Sequence, residues 1–280
     1  MISRITFRLR SIRGGSLPWF TGHETRAAFL SLVAEGDAEL SRMLHDSRGL
    51  YTLSALSFEE GYKVVATGNH RWPGKGYTRP IDAGIVFKEG ARSVFHVNIL
   101  DDTLAGRLFA AISTAAGHGV LVKNQAFRIE EINFTFITPD SILSGLTGCS
   151  ILDIYFTSPT YFNPVGGGDY KILYPHLPLL LHNLEKTAAR LLGEDWENIA
   201  TQLEAKTYIS GIDIRTPSHS GSGDRAPTGF LGWTRLKQKG TPDPRLEAML
   251  RLAEKVNIGG NRSAGYGEVK LVPRCGDKED

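Results

Sequence analysis

The chain has 280 residues, of which 41% are hydrophobic and 22% charged, a composition that excludes a disordered or fibrous protein. The formal net charge of +2 leaves the partner open, because nucleic-acid binding needs a local basic patch rather than a high total charge. No apolar run is long enough for a signal peptide or a membrane span, so we expect a soluble, cytoplasmic protein without membrane contacts. In a reducing cytoplasm Cys149 and Cys275 are expected to be free thiols, with a disulfide between them as the alternative.

The first half of the chain begins with a strand-like segment, Met1–Arg13, in which apolar residues alternate with Arg4, Arg8 and Arg10. A helical pattern follows from about Glu24 to His45-Asp46, with a break at Gly36-Asp37. This half has the order β-α-β-β-α-β, which is that of a ferredoxin-like domain. The remaining predicted elements are strands at Tyr51–Phe58, Ala83–Phe87, Ser93–Leu100 and Gly117–Ile137, and a helix capped by Asp101-Asp102.

The same order of elements returns in the second half, without any repeat of the sequence itself. We therefore predict an α+β protein with tandem ferredoxin-like (RRM-like) domains, βαββαβ repeated twice, at residues 1–140 and 145–273, followed by a tail at 274–280. A Gly/Ser-rich loop, Thr216–Pro227, interrupts the second domain. The predicted elements here are strands at Ile151–Thr157, Tyr208–Arg215, Thr228–Lys237 and Tyr266–Val272, and helices at Leu177–Leu192 and Pro244–Val256.

The most specific segment of the sequence is Ile258–Gly267, IGGNRSAGYG, between the last predicted helix and the last strand. Glycine is needed where the backbone adopts positive φ or approaches another backbone closely. Such a loop can present successive amides to phosphate oxygens, here beside Arg262. A tight helix-to-strand turn without a ligand is the alternative interpretation of the segment.

The spacing of Ile258, Gly259, Gly265, Tyr266 and Gly267 resembles the C-terminal glycine-rich motif of the RAMP superfamily of CRISPR-associated proteins. Two more stretches resemble its crRNA-processing endoribonuclease branch. One is Leu17–Leu56, which includes a helix ending in Leu44-His45 before a strand, and the other is the Gly-Phe-x-Gly stretch Gly229–Trp233. The resemblance therefore involves both halves of the chain.

The resemblance implies cleavage of CRISPR repeat RNA in pre-crRNA, without a metal ion or any other cofactor. The 2′-hydroxyl beside the scissile phosphate would attack it, giving a 2′,3′-cyclic phosphate, a 5′-hydroxyl product and mature crRNA. This chemistry needs proton transfer at two oxygens and a cation near the phosphate. Histidine suits the proton transfers, since imidazole exchanges protons near neutral pH.

His45 is the leading catalytic candidate, because it stands at the helix end where the family's acid-base histidine stands. The C-terminal end of a helix stabilises positive charge, which suits a proton donor. A histidine that merely caps the helix is the alternative. The chain departs from better-known members of the family in two respects: Leu30 occupies a position where some carry tyrosine, and the lysine that some carry after the histidine is missing. Arg48 could supply the missing charge, and Tyr51 or His23 the second proton-handling group.

The expected partner is CRISPR repeat RNA, together with other CRISPR effector subunits as a further option, and the chain is expected to be a monomer or a homodimer. A non-catalytic RAMP subunit that only binds crRNA is the main alternative function. A general RRM-type binder is disfavoured because no aromatic strand of the expected form is recognisable. No P-loop, zinc-binding or hydrolase motif occurs. The RNA-binding candidates are Arg225, Lys237, Lys239, Gly259, Gly260, Arg262, Gly265 and Gly267.

Overall fold

The computed structural model describes residues 1–47, 49–66, 69–71, 78–80, 83–115, 117, 119–216 and 228–275. Within these residues two large antiparallel sheets follow one another along the chain, each covered by helices on one face, and a short hairpin of two strands forms a third sheet. Both sheets contain the strand order of a ferredoxin-like fold, so the predicted fold class is confirmed.

The N-terminal sheet is built around β1 and β7, which pair along most of their length, with β9 on the other side of β1. Strands β2 and β4 pair with the same segment of β7, residues 84–87, from its two opposite edges, and β3 pairs with the end of β7. These additional strands widen the sheet beyond the four strands of the basic fold. The elements of this half are β1 (Ile2–Ser11), β2 (Gly15–Pro18), α1 (Gly22–Gly36), α2 (Ala38–Asp46), β3 (Tyr51–Leu53), β4 (Ser57–Ala66), β5 (Asn69–Arg71), β6 (Thr78–Pro80), β7 (Ala83–Ile99), α3 (Ala105–Ala115), β8 (Val120–Val122), β9 (Gln125–Ile137) and α4 (Pro139–Leu143).

The C-terminal sheet has four strands in the order β11-β12-β10-β13, so the first and third strands of the unit lie in the centre. Helices α5 and α7 cover one face, and the other face carries no helix among the described residues. The elements are β10 (Ile151–Thr160), α5 (Leu177–Leu192), α6 (Ile199–Lys206), β11 (Thr207–Arg215), β12 (Phe230–Gln238), α7 (Pro244–Val256) and β13 (Val269–Arg274).

Each sheet has its own hydrophobic core, and the alternation of the sequence decides which side chains enter it. Ile5, Phe7 and Leu9 of β1 are fully buried against α1 and α3, as predicted, while the arginines between them lie on the other face. In the second half, the inward residues of β10 pack against the apolar stripes of α5 and α7. Burial of these stripes is the dominant stabilising contribution in both halves.

The structure corrects the predicted state of the cysteines. Cys149 and Cys275 form a disulfide, with Cα atoms 5.0 Å apart, so the expectation of free thiols is wrong. Ile151 pairs with Arg274 across β10 and β13, and this register brings the residues that flank the two strands together. The described helices include none with the length and apolarity needed to cross a lipid bilayer.

Candidate functional site

The glycine-rich segment forms the junction between the two halves of the molecule. Asn257, which is 2% exposed, donates through Nδ2 to the backbone oxygens of Leu53 and Tyr266, both at 3.1 Å. Beside it, the rings of Phe20 and Tyr266 meet edge to face with centroids 4.9 Å apart. The loop is therefore held at a fixed position against the end of the first half, close to β3.

Several of the glycines are required by close packing within the protein. Gly267 has a φ of +74°, and a Cβ there would collide with the carbonyl oxygen of Ile258. The amides of Gly260 and Gly267 donate to the carbonyl oxygens of Tyr161 at 2.9 Å and Pro159 at 3.1 Å. These amides stabilise the loop, whereas Gly259 also lines an open groove beside it.

The groove lies where the loop meets the end of α2, and its volume is about 730 Å³. Its lining is mainly polar, and Asp46 supplies the only carboxylate among the described lining residues. The side chains and backbone that line it include Arg26, His45, Asp46 and Tyr51 from the first half and Tyr161, Asn163, Gly259, Asn261, Arg262 and Ser263 from the second.

His45 reaches the groove because of the amphipathic pattern of α2. Asp37 caps this helix by accepting a hydrogen bond from the Leu40 amide at 2.9 Å, and Leu40 and Leu44 are fully buried. The residue after Leu44 consequently points outward, and the His45 side chain is 65% exposed. Its Nδ1 lies 3.0 Å from Oδ1 of Asp46. This contact orients the ring and leaves Nε2 as the nitrogen that can face a substrate.

Arg26 of α1 connects the catalytic candidates to one another. Its Nε donates to the hydroxyl of Tyr51 at 3.1 Å, and its Nη2 donates to the backbone oxygen of His45 at 3.0 Å. Tyr51 is 1% exposed and its hydroxyl also bonds to Ser263 of the glycine-rich loop. Burial raises the pKa of Tyr51, so its hydroxyl stays protonated throughout the neutral range. The network fixes the guanidinium of Arg26 at the groove wall.

A second cation enters the groove from the glycine-rich loop. Arg262 donates through Nη1 to the backbone oxygen of Val256 at 3.4 Å. Burial, with a smaller contribution from the charge of Arg190, lowers the pKa of Arg262. A positive charge kept partly away from water, and beside another positive charge, favours the approach of an anion such as phosphate.

The structure thus brings His45, Tyr51, Gly259 and Arg262 into one groove and separates them from the other candidates. His23 is exposed in the first turn of α1, with its ring 5.8 Å from that of Tyr266. Lys237 and Lys239 lie at the far end of β12 and just after it, where Lys239 stands 5.8 Å from the ring of Tyr208. Gly260, Gly265 and Gly267 belong to the packed part of the loop. Arg48 and Arg225 lie outside the described residues.

Sequence reasoning missed how Arg26, Asp46 and Ser263 would contribute to the groove. Arg26 belongs to the first stretch with family resemblance, but nothing in its spacing shows that it meets the end of α2. Asp46 is recognisable only as the neighbour of His45.

Among the described residues, no group of three or more His, Cys, Asp or Glu side chains is arranged to hold a metal ion.

Residues 154–269 match the family model described as CRISPR-associated endoribonuclease Cas6. The matched range runs from the first strand of the C-terminal sheet to the last and includes the glycine-rich loop. This match confirms the resemblance to the crRNA-processing RAMP proteins and supports an RNA-processing endoribonuclease role. No curated protein sequence matches the chain at a significant level.

Several solved structures share the fold over almost the whole chain. A Cas6 product complex superposes with a TM-score of 0.65 at 20% identity, covering 97% of this chain and 100% of the other. Thermus thermophilus Cas6 gives a TM-score of 0.63 at 15% identity, covering 97% and 98% of the two chains. A RAMP protein binding different RNA substrates gives 0.53 at 15% identity, covering 96% and 99%.

Proposed function

From the Cas6 family match over residues 154–269, we propose that this chain is an endoribonuclease that cuts CRISPR repeat RNA in pre-crRNA. The observation that carries the proposal is the groove. An exposed, oriented imidazole and two fixed guanidinium groups meet there, at the junction of two RRM-like units. A scissile phosphate fits this set of groups, since it needs one proton donor and a nearby positive charge.

In the proposed reaction the ribose 2′-oxygen bonds to the adjacent phosphorus as the bond from phosphorus to the 5′-oxygen breaks. His45, through Nε2, gives a proton to the leaving 5′-oxygen. The groove is open to water, which takes the proton of the 2′-hydroxyl. The products are a 2′,3′-cyclic phosphate and a 5′-hydroxyl, and no metal ion takes part. His23 lies one turn before Arg26 on α1 and does not line the groove, so we assign it no proton transfer.

The positive charge that the missing lysine would supply comes from Arg26 and Arg262. Arg26 is tied to the backbone of His45, so its position relative to the proton donor is fixed before RNA binds. Preorganised charge stabilises the developing phosphorane without a reorganisation cost at the moment of reaction. Tyr51 acts as a positioning residue, because its buried hydroxyl bonds to both Arg26 and Ser263 at the groove wall.

The test is cleavage of the host's own repeat RNA in EDTA. The wild-type protein is expected to cut at one position, and a substrate with 2′-deoxyribose at that position should stay intact. His45→Ala should slow cleavage by about 10²- to 10⁴-fold, which is the usual contribution of a general acid or base. The exposed His45 side chain is not part of either core, so the variant should melt like the wild-type protein.

His182→Ala is the matched control, since His182 is an exposed helix histidine whose Nδ1 bonds to the backbone oxygen of Pro178 at 2.9 Å, outside the groove. This variant should cut at the wild-type rate. Tight binding of the repeat without cleavage by the wild-type protein would replace the proposal with a non-catalytic crRNA-binding subunit. Cleavage that does not depend on His45 would keep the activity but reject the assigned proton donor.

A further inference from the structure

The disulfide closes one end of the pair formed by β10 and β13. Cys149 stands two residues before β10, and Cys275 directly follows β13. Because Ile151 pairs with Arg274, the two cysteines flank the last pair of this ladder, and their Cα atoms are 5.0 Å apart. This distance lies within the usual range for a disulfide, so the folded sheet itself brings the two sulfurs together.

Cys149 belongs to a segment that is fixed to α7. It is 6% exposed and packs in the core of the C-terminal half. The amides of Thr147 and Gly148 donate to Oε2 of Glu247, at 2.8 and 3.1 Å, and Glu247 is itself 1% exposed. Arg251 of the same helix donates to the other oxygen of this carboxylate at 2.7 Å. Cys149 is therefore anchored by contacts that do not depend on the disulfide.

Cys275, at the other end of the bond, is exposed and follows an edge strand, since β13 has only β10 as a neighbour among the described strands. Outside this ladder, the amide of Leu271 donates to Glu254 at 2.9 Å, and Nε of Arg274 donates to Asp153. An edge strand opens more easily than a central one, because fewer hydrogen bonds must break for it to leave the sheet. The disulfide therefore fastens the less stable partner of the pair to an anchored one.

The bond also closes a long loop. The two cysteines are 126 residues apart, and the loop between them contains all four strands of the C-terminal sheet. Closing a loop of this length removes conformational freedom from the unfolded chain and so stabilises the folded state. The effect of the disulfide is thus expected on the stability of the whole C-terminal half.

We propose that the disulfide is a redox-sensitive clamp, which holds β13 on the sheet while it is formed and is opened by a dithiol reductant. A thiolate of the reductant attacks Sγ of the exposed Cys275, and the bond between the two protein sulfurs breaks. The Cys149 thiolate that leaves takes a proton from water. The second thiolate of the reductant then attacks the reductant's sulfur in the mixed disulfide. The reductant leaves as a disulfide, and Cys275 is released and protonated.

The clamp lies far from the cleavage groove. Strand β10 begins beside Cys149 and ends beside Tyr161, which lines the groove, so a strand of 10 residues separates the two places. A strand of this length spans about 30 Å. Opening the clamp therefore lowers the stability of the C-terminal half and leaves the groups of the groove in place. None of its contacts involves RNA, so the clamp is independent of the proposed function.

The test is thermal melting of the full-length protein, purified without reductant, with and without dithiothreitol. Titration of the denatured protein with a chromogenic thiol reagent should find no free thiol before reduction and both cysteines free after it. Reduction should lower the melting temperature by about 5 to 10 °C, the shift expected when a bond that closes a long loop is removed. Oxidised glutathione, added after dithiothreitol is removed, should restore the original melting temperature.

Cys275→Ser is the matched control, because the exposed position tolerates serine without disturbing the core. This variant should melt like the reduced wild-type protein, with or without dithiothreitol. Hydrogen exchange locates the effect: on reduction the amides of β13 should exchange faster, and those of β1 should not change.

Two outcomes would overturn the proposal. One is free thiols that persist in the folded protein after treatment with oxidised glutathione, and the other is a melting temperature that does not change when the bond is reduced. These measurements use no RNA, so a protein that fails to cut repeat RNA but loses stability on reduction would reject the proposed function and keep the clamp.

Discussion

The two sheets share a topology but differ in how the charges on their open faces are used. On the N-terminal sheet, Arg8 pairs with Glu59 at 2.8 Å and with Glu131 at 3.2 Å, and Arg10 pairs with Glu130. On the C-terminal sheet, Arg235 and Arg274 both bind the buried carboxylate of Asp153. The arginines of the first face thus pair with glutamates at the surface, whereas those of the second converge on one buried carboxylate.

The difference shows why a basic strand is weak evidence for RNA binding. The arginines of β1 form the clearest basic pattern in the sequence, and they are partly neutralised by glutamates of β4 and β9. The cations on the open face of the C-terminal sheet instead come from single residues of β12 and β13, which flank β10. Pairing between strands, which a linear pattern does not contain, decides which charges remain for a partner.

Neutralising a carboxylate is expected to destabilise the protein more on the C-terminal sheet than on the N-terminal sheet. Asp153→Asn should lower the free energy of unfolding by about 1 to 2 kcal/mol, because a buried acceptor of several arginine hydrogen bonds loses its charge while the arginines stay partly solvated. Glu131→Gln should cost less than about 1 kcal/mol, since its pair with Arg8 is exposed. Urea denaturation of both variants measures the difference. Equal losses would contradict it.

The ion pairs of Asp153 with Arg235 and Arg274 also predict that the stability of the protein depends on pH. Hydrogen bonds from Arg235, and then from Arg274, hold the pKa of Asp153 below its ordinary value of 3.8. A lowered folded-state pKa means that the stabilisation is complete above that ordinary value and is lost as the pH falls through the lowered one. The stability difference between the wild-type protein and Asp153→Asn should therefore be constant near neutral pH and shrink below about pH 4. A constant difference down to pH 2 would contradict this assignment.

Helices with a clear apolar period were predictable from the sequence, and strands that depend on their neighbours were less so. The bounds predicted for Leu177–Leu192 and Pro244–Val256 agree with α5 and α7. Ala83–Phe87 and Ser93–Leu100, predicted as two strands, belong to the single strand β7. The polar residues between them fit one long strand because β1 and β4 supply pairing partners along it. Tyr51–Phe58, predicted as one strand, is divided between β3 and β4.

The candidate site was predictable to a similar extent. The resemblance pointed to His45 and to the glycine-rich loop, and the structure places both at one groove. Their connection through Arg26, which bonds to Tyr51 and to the backbone of His45, requires that α1, α2 and β3 meet in space. The register that pairs Cys149 with Cys275 is likewise a property of the folded sheet. Contacts of this kind have no local signature in one sequence.

The central claim is that the groove cuts the RNA, and single-turnover cleavage of the repeat RNA over a range of enzyme concentrations tests this most directly. His45→Ala should lower the maximal rate by about 10²-fold or more and leave the half-saturating concentration unchanged. His182→Ala, outside the groove, should leave both quantities unchanged. If His45→Ala changes only the half-saturating concentration, His45 binds the RNA instead of donating a proton, and the claim is contradicted.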